Sequence, residues 1–337
     1  MDLDLVFLGT SASAPTAGRA PTALLLRRGS ERLLFDCAEG TQRQLMRSSL
    51  GLPDLEEIFL THYHADHTLG LPGMLKTFAL RGRDLPLRVY GPPGLRELFA
   101  DLRHLVGRLS YPVEAVEVRP GEALERDGYC ILVFPVHHGV AAAGYAVAEE
   151  PRPGEFDAAA ADVLGVPFGP ERGALQRGES ITLPGGTVVT PDAVVGPPRP
   201  GRTIVITGDT APVETVQALA AGADVLVHEA TFSEEERDRA ADTLHSTARQ
   251  AGEVAAAARV RLLALTHFSP RYVGPELLEE AKAVFPATVA PRDFDVVEVP
   301  FAERGEPRLV RRGARPPRVS DTFEVSGTEL VMEGPAA

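Results

Sequence analysis

Thr61-His62-Tyr63-His64-Ala65-Asp66-His67 sets three imidazoles and a carboxylate within six residues, directly after the aliphatic run Ile58-Phe59-Leu60. Side chains two apart in extended chain point to the same side, so His62 and His64 face one point. Asp66 and His67 follow where the chain turns toward a helix, and they face a second point nearby. Imidazole nitrogens and carboxylate oxygens are donors that suit zinc. One such cluster cannot complete two metal shells, so further donors must come from elsewhere in the chain.

Other runs of the same kind supply them. Leu5-Val6-Phe7-Leu8 leads to Gly9-Thr10, Arg32-Leu33-Leu34-Phe35 to Asp36, and Ile131-Leu132-Val133-Phe134 to His137-His138. Thr203-Ile204-Val205-Ile206 leads to Gly208-Asp209, Asp224-Val225-Leu226-Val227 to His228-Glu229, and Leu262-Leu263-Ala264-Leu265 to Thr266-His267. Short aliphatic runs of this length are buried strands. Helical patterns lie between them at Pro93 to Leu105, Pro212 to Ala221 and Ser246 to Ala258, the last opened by a Ser-Thr cap signal. The fold class is therefore α/β, with helices covering sheets and ligands gathering where strands end. Of nine histidines, only His104 lies away from a strand end, so it is read as structural.

The donor count closes on two metals. His62, His64 and His138 serve one, Asp66, His67 and His267 the other, and the two oxygens of Asp209 suit a bridge. Each ion keeps an open position, as catalytic sites require. A surface cluster of histidines, or one structural zinc, leaves too many of these ligands unexplained.

Composition bounds the rest. The 337 residues are 44% hydrophobic and 24% charged, ordinary for a folded chain. No stretch approaches the roughly 18 apolar residues of a membrane helix. The N-terminus Met1-Asp2-Leu3-Asp4-Leu5 reads as a strand, not a signal peptide, so a cytoplasmic location is expected. Cys37 and Cys130 form no C-x-x-C pair and are expected as reduced core residues. A net charge of −13 excludes coating of nucleic acid by bulk charge, but not binding through a local patch or metal ions.

The Pro- and Gly-rich stretch from about Glu149 to Arg202 is too long for an ordinary connection, and reads as a stalk with little core of its own. Past about Phe301 the pattern weakens. Arg304 to Arg318 is basic and Pro-rich, and Thr322 to Met332 suits a small hairpin. Residues 1–302 are expected as one domain with an insertion at about 150–200, and 303–337 as a C-terminal extension.

The H-x-H-x-D-H string, followed by single His, Asp and His ligands, resembles the metallo-β-lactamase superfamily. Phe7-Leu8-Gly9-Thr10-Ser11-Ala12, Asp36-Cys37-Ala38-Glu39-Gly40-Thr41-Gln42-Arg43-Gln44-Leu45, Gly70-Leu71-Pro72-Gly73, His228-Glu229-Ala230-Thr231, His245-Ser246-Thr247 and Thr266-His267-Phe268-Ser269-Pro270-Arg271 narrow the resemblance to its ribonuclease Z family, over about residues 1–300. Departures are Ala38 and Ala65 where that family often has Gly, Ala20 where it has Asn, and His137 where it has an acidic residue.

The resemblance implies an αββα sandwich with metals at one edge and a protruding tRNA-binding arm. It implies a zinc-dependent endoribonuclease that removes the 3′ trailer of precursor tRNA by attack of a metal-activated hydroxide on the phosphodiester. Two Zn2+ are expected per chain, with Mn2+ or Fe2+ as alternatives, and a homodimer whose arms serve each other's sites. Asp66 takes the role of base. His245 is the proton donor for the leaving oxygen, with Glu229 holding its tautomer; the alternative is that His245 only caps the following helix. Family spacing selects His138 over His137 as the ligand, and His228 is read as supporting or structural. Ser269 and Arg271 are candidate phosphate contacts beside the metals, and Arg172 and Arg177 candidate RNA contacts on the arm. Two other readings stand beside this one: a hydrolase of the same fold acting on small phosphodiesters, lactones or thioesters, and a non-catalytic RNA-binding module.

Overall fold

In the first strand, Leu3–Gly9, the side chains of Leu3, Leu5 and Phe7 pack on one face and those of Val6 and Leu8 on the other; all five are buried. The same period of two runs through Ala23–Arg28, Glu31–Phe35, Val225–Glu229 and Leu262–Thr266. A strand covered on both faces needs apolar residues at every position, hence the unbroken aliphatic runs. The computed structural model describes residues 1–48, 50–52, 55–272 and 274–312, and arranges these strands as two sheets packed face to face.

The first sheet has eight strands, in the spatial order Arg308–Val310, Val296–Glu298, Leu3–Gly9, Ala23–Arg28, Glu31–Phe35, Glu57–Phe59, Leu87–Gly91 and Val113–Glu117. The second has seven: Thr288–Val289, Leu262–Thr266, Val225–Glu229, Thr203–Ile206, Ala143–Glu149, Tyr129–Pro135 and Ala123–Arg126. Both are mixed, antiparallel on one side and parallel on the other. Helices Thr41–Arg47, Gly70–Leu80 and Leu95–Val106 cover the outer face of the first sheet, and Glu214–Leu219, Ala248–Ala258 and Glu276–Val284 that of the second. This is the expected αββα sandwich, and no helix among the described residues is long and apolar enough to cross a membrane.

Several expectations change. The insertion is not a bare stalk. Helices Ala158–Val163 and Pro170–Gln176 and the strand pair Ile181–Thr182 with Val188–Val189 enclose a small core of Ala161, Val166, Leu175, Val189 and Val194. Its few apolar residues are spaced too irregularly to read as periodic. The first sheet runs past residue 302, because Arg308–Val310 pairs with Val296–Glu298. The suggested hairpin at Thr322 to Met332 lies outside the described residues. Cys37 is buried, but Cys130 is only half-buried, since alternation turns it away from the inter-sheet core. His104 is exposed on its helix, with no structural task visible.

Candidate metal centre

The strand ends converge on one edge of the sandwich. Glu57–Phe59 delivers Thr61 and His62, Glu31–Phe35 delivers Asp36, Tyr129–Pro135 delivers His138, and Thr203–Ile206 delivers Asp209. Val225–Glu229 ends on Glu229, and Leu262–Thr266 is followed by His267. Tight packing sets this edge. Gly208 has a left-handed φ of 63°, and a Cβ there would lie 2.7 Å from Thr61 Cβ, so only glycine brings Asp209 this close to the histidine loop. Beneath it, Phe35 and Phe59 stack, Tyr145 packs against both at a steep angle, and the Tyr145 hydroxyl donates to Leu60 O at 2.7 Å.

The seven residues counted from the sequence come together. Asp209 Oδ2 lies 3.8, 3.3, 3.7 and 3.2 Å from the Nε2 atoms of His62, His67, His138 and His267. His138 Nε2 is 3.1 Å from His64 Nδ1, and His267 Nε2 is 3.3 Å from His67 Nε2 and from Asp66 Oδ2. Donors about 2.0–2.1 Å from a tetrahedral zinc stand roughly 3.3 Å apart, so this spacing fits ligands around cations. Five of the seven are buried, Asp66 is half-buried and His64 is exposed. His62 Nε2 is buried with no hydrogen-bond partner, a polar atom that a cation would satisfy.

Partners behind the rings fix which nitrogen faces inward. Leu244 O can only accept, so His138 Nδ1 carries the proton given to it at 3.1 Å. His67 Nδ1 donates to Asp36 Oδ2 at 2.8 Å. The Thr61 hydroxyl donates to Asp36 and so accepts from His62 Nδ1 at 3.1 Å. The Thr231 hydroxyl donates to Glu229 and accepts from His267 Nδ1 at 2.9 Å. Four Nε2 atoms are thereby aimed into the cage. Charge agrees with geometry. Burial and the neighbouring His67 hold His62 well below its ordinary pKa. For His67, burial alone would lower it, but the Asp209 and Asp36 carboxylates carry it well above. In a cage without a cation His67 keeps a proton against these carboxylates, so loading a cation releases it.

Sequence reasoning assigned no role to Asp36, Thr61, Thr231 or the Ser13 amide. Ser13 N–H donates to Asp66 Oδ2 at 2.6 Å. Six described residues other than glycine have left-handed φ, and Ser13, Asp36 and His267 among them line this edge, while Leu244 supplies the carbonyl to His138. Such backbone is costly and gathers at functional sites. Asp36 and Thr61 carried a signal, each as a polar residue closing an aliphatic run.

His245 stands beside the cage, its ring centroid 4.6 Å from that of His138 and 5.5 Å from that of His267. Its Nδ1 donates to Glu229 Oε1 at 2.9 Å. Burial alone would lower its pKa, but Glu229 outweighs that and raises it to about 9. The helix cap is Thr247, whose Oγ1 accepts from Gln250 N while Gln250 Oε1 accepts from Thr247 N, so His245 is not needed for capping. His137 points to solvent, whereas neighbouring His138 is buried in the cage. His228 is buried and turned away, with Nδ1 on Glu229 O. Ser269 is half-buried just past His267, and Arg271 pairs with Glu236 at 2.7 Å. Arg177 is exposed and paired with Glu179. Arg172 is not the free cation expected: it is mostly covered and bound to Asp162 and Val166 O, so it serves the insertion's own fold.

Known proteins share the sequence and the fold of this chain. The family model described as Beta-lactamase superfamily domain matches residues 31–268. Ribonuclease Z of Haloferax volcanii is 48% identical over 90% of this chain and 97% of its own length, and that of Myxococcus xanthus 46% over 89% and 99%. The crystal structure of human tRNase Z, short form, superposes with a TM-score of 0.64 at 27% identity, covering 88% of this chain and 99% of that one. On sequence and fold together, the chain belongs to the ribonuclease Z family of the β-lactamase superfamily.

Proposed function

We propose that this endoribonuclease cuts precursor tRNA to remove its 3′ trailer, using two divalent cations, zinc by preference, held at the sheet edge. The observation that carries the reading is Asp209 Oδ2 standing within 3.8 Å of four imidazoles that belong to two ligand groups. His62, His64 and His138 would hold one cation and Asp66, His67 and His267 the other, with the Asp209 carboxylate available to both. A pair of divalent cations would lower the pKa of water toward neutrality and neutralise charge on the phosphate.

The chain's own groups do the rest. Asp66, fixed by Ser13 N–H and facing His267, orients the attacking water. Burial alone would raise its pKa, but His267 and His67 hold it below the ordinary carboxylate range, so it is ionised at neutral pH. His245, tied to Glu229 through Nδ1, keeps Nε2 for protonating the leaving oxygen. Ser269, two residues past His267, and the exposed Arg271 beside Glu236 are the groups proposed for phosphate contact.

The insertion supports tRNA over a small substrate. It is a folded body whose Phe168 is 92% and Val163 88% exposed, apolar groups left for a large ligand. It leaves the body between Glu149 and Arg202, at the strand ends opposite the cage. Strand Ala143–Glu149 spans seven residues, so the stem starts roughly 20 Å from its own metal edge. That supports a homodimer in which each arm serves the other chain's site. A cytoplasmic location fits a tRNA-processing role.

The test is a labelled precursor tRNA with the cut mapped, in the whole chain and in one lacking residues 153–196. Gly154 and Gly196 are in backbone contact, so a short linker closes the gap. The shortened chain is expected to lose precursor cleavage and keep hydrolysis of a chromogenic phosphodiester. Retention of both at full rate would sink the tRNA reading. Metal analysis is expected to find about two zinc ions per chain.

A further inference from the structure

The arm has two roots, and both are gripped by a segment of the first sheet. Glu149 and Arg202 pair at 2.7 Å, each almost fully buried, and Arg28 adds a bond to Glu149 at 3.0 Å. A buried pair like this holds register more than it adds stability. One step outward, Arg152 and Arg199 exchange backbone hydrogen bonds of 2.7 and 2.9 Å, and Asp157 N–H and Gly196 N–H continue the ladder. Beside the roots stands Phe301, just after the Val296–Glu298 strand. The Arg152 guanidinium lies 3.4 Å from the centre of its ring and that of Arg202 lies 4.0 Å away. Two residues on, Glu303 takes both ends of the Arg152 fork at 2.9 and 3.2 Å, and Arg199 Nη1 at 3.5 Å. One arginine from each side of the stem thus meets one carboxylate, and the ring is wedged between the two roots.

We infer that Phe301 and Glu303 are positioning residues that set the direction in which the 150–200 arm leaves the body, and through it the enzyme's grip on tRNA. This rests on the reading that the arm holds tRNA. The stem is only two strands wide, so its own ladder cannot fix its angle. A stacked ring and a shared carboxylate from the other sheet supply the missing constraint. Stacking and a bidentate fork are properties of arginine that lysine lacks.

The experiment uses the full chain with Glu303→Ala, Phe301→Leu and Arg152→Lys. Each is expected to raise KM for a precursor tRNA about fivefold or more, with kcat little changed. Hydrolysis of the chromogenic phosphodiester stays at the wild-type rate, and amide exchange quickens in residues 152–200 alone. Glu303→Asp, which keeps the carboxylate, recovers most of the affinity. If precursor KM and arm protection are unchanged in all three variants while deletion of 153–196 still abolishes precursor cleavage, the clamp has no such role. Equal loss with both substrates also overturns it, as that marks general destabilisation. Survival of precursor cleavage after the deletion instead defeats the reading of the arm itself.

Discussion

His137 and His138 are adjacent in sequence and opposite in fate. His138 is buried with Nδ1 given to Leu244 O, and His137 faces water. His138→Ala is therefore expected to lose metal and activity, and His137→Ala to keep both, by metal analysis and turnover of a chromogenic diester. The reverse would put the wrong ring in the cage. His245 gives a pH prediction. Its pKa is raised above the unfolded value, so the stabilisation from Glu229 is fully present below about pH 6.5 and lost as pH rises through about 9. In the proton-donor role proposed for it the ring must be charged, so the rate is expected to fall on the alkaline side. Cations bound in the cage would draw that limb lower. Glu229→Gln removes the countercharge, and should move it lower still in a pH–rate profile; an unmoved limb would detach His245 from proton transfer. The ligands were legible in the sequence because titratable side chains closed aliphatic runs. The tasks of Asp36, Thr61, Thr231 and Ser13 were not, since these groups act behind the ligands through φ values and partners that no spacing reveals.

Elements were legible where burial on both faces forced unbroken apolar runs, as in Leu262–Thr266, and where a cap announced a helix. Ala248–Ala258 is the clearest case, because Thr247 and Gln250 form a reciprocal box at its start. Thr247→Ala should cost about 1 kcal/mol of stability, measured by denaturant unfolding of the full chain. A loss below a few tenths would mean that the packing of Ala251 and Ala255 alone holds this helix. The insertion was misjudged as a stalk for a physical reason. Its core is five small or medium side chains spread over two short helices, a two-residue ladder and the connections between and after them, too few for either period to emerge. The sheet edge past residue 302 escaped for the same reason, its strand Arg308–Val310 being three residues long and only half-buried at best.

At the scale of the whole molecule, the arm and the cage sit at opposite ends of the second sheet, roughly 20 Å apart along one strand. Within a single chain the same tRNA would have to wrap the body to meet both. In a two-fold dimer, one chain's arm can lie beside the other's cage without wrapping. Mixing two defective chains separates the arrangements. One lacks residues 153–196 and keeps its ligands; the other carries Asp66→Ala and keeps its arm. Each alone is expected to be inactive on precursor tRNA. If arms act across the dimer, the mixed species pairs an intact cage with an intact arm on different chains, and cleavage returns. A random mixture makes about half of its dimers mixed, and each has one working site, so recovery should approach a quarter of the wild-type rate per chain. If arm and cage must belong to one chain, no mixture recovers activity, however long subunits exchange. The chromogenic diester, which needs no arm, reports in the same tube that the intact cages remain loaded.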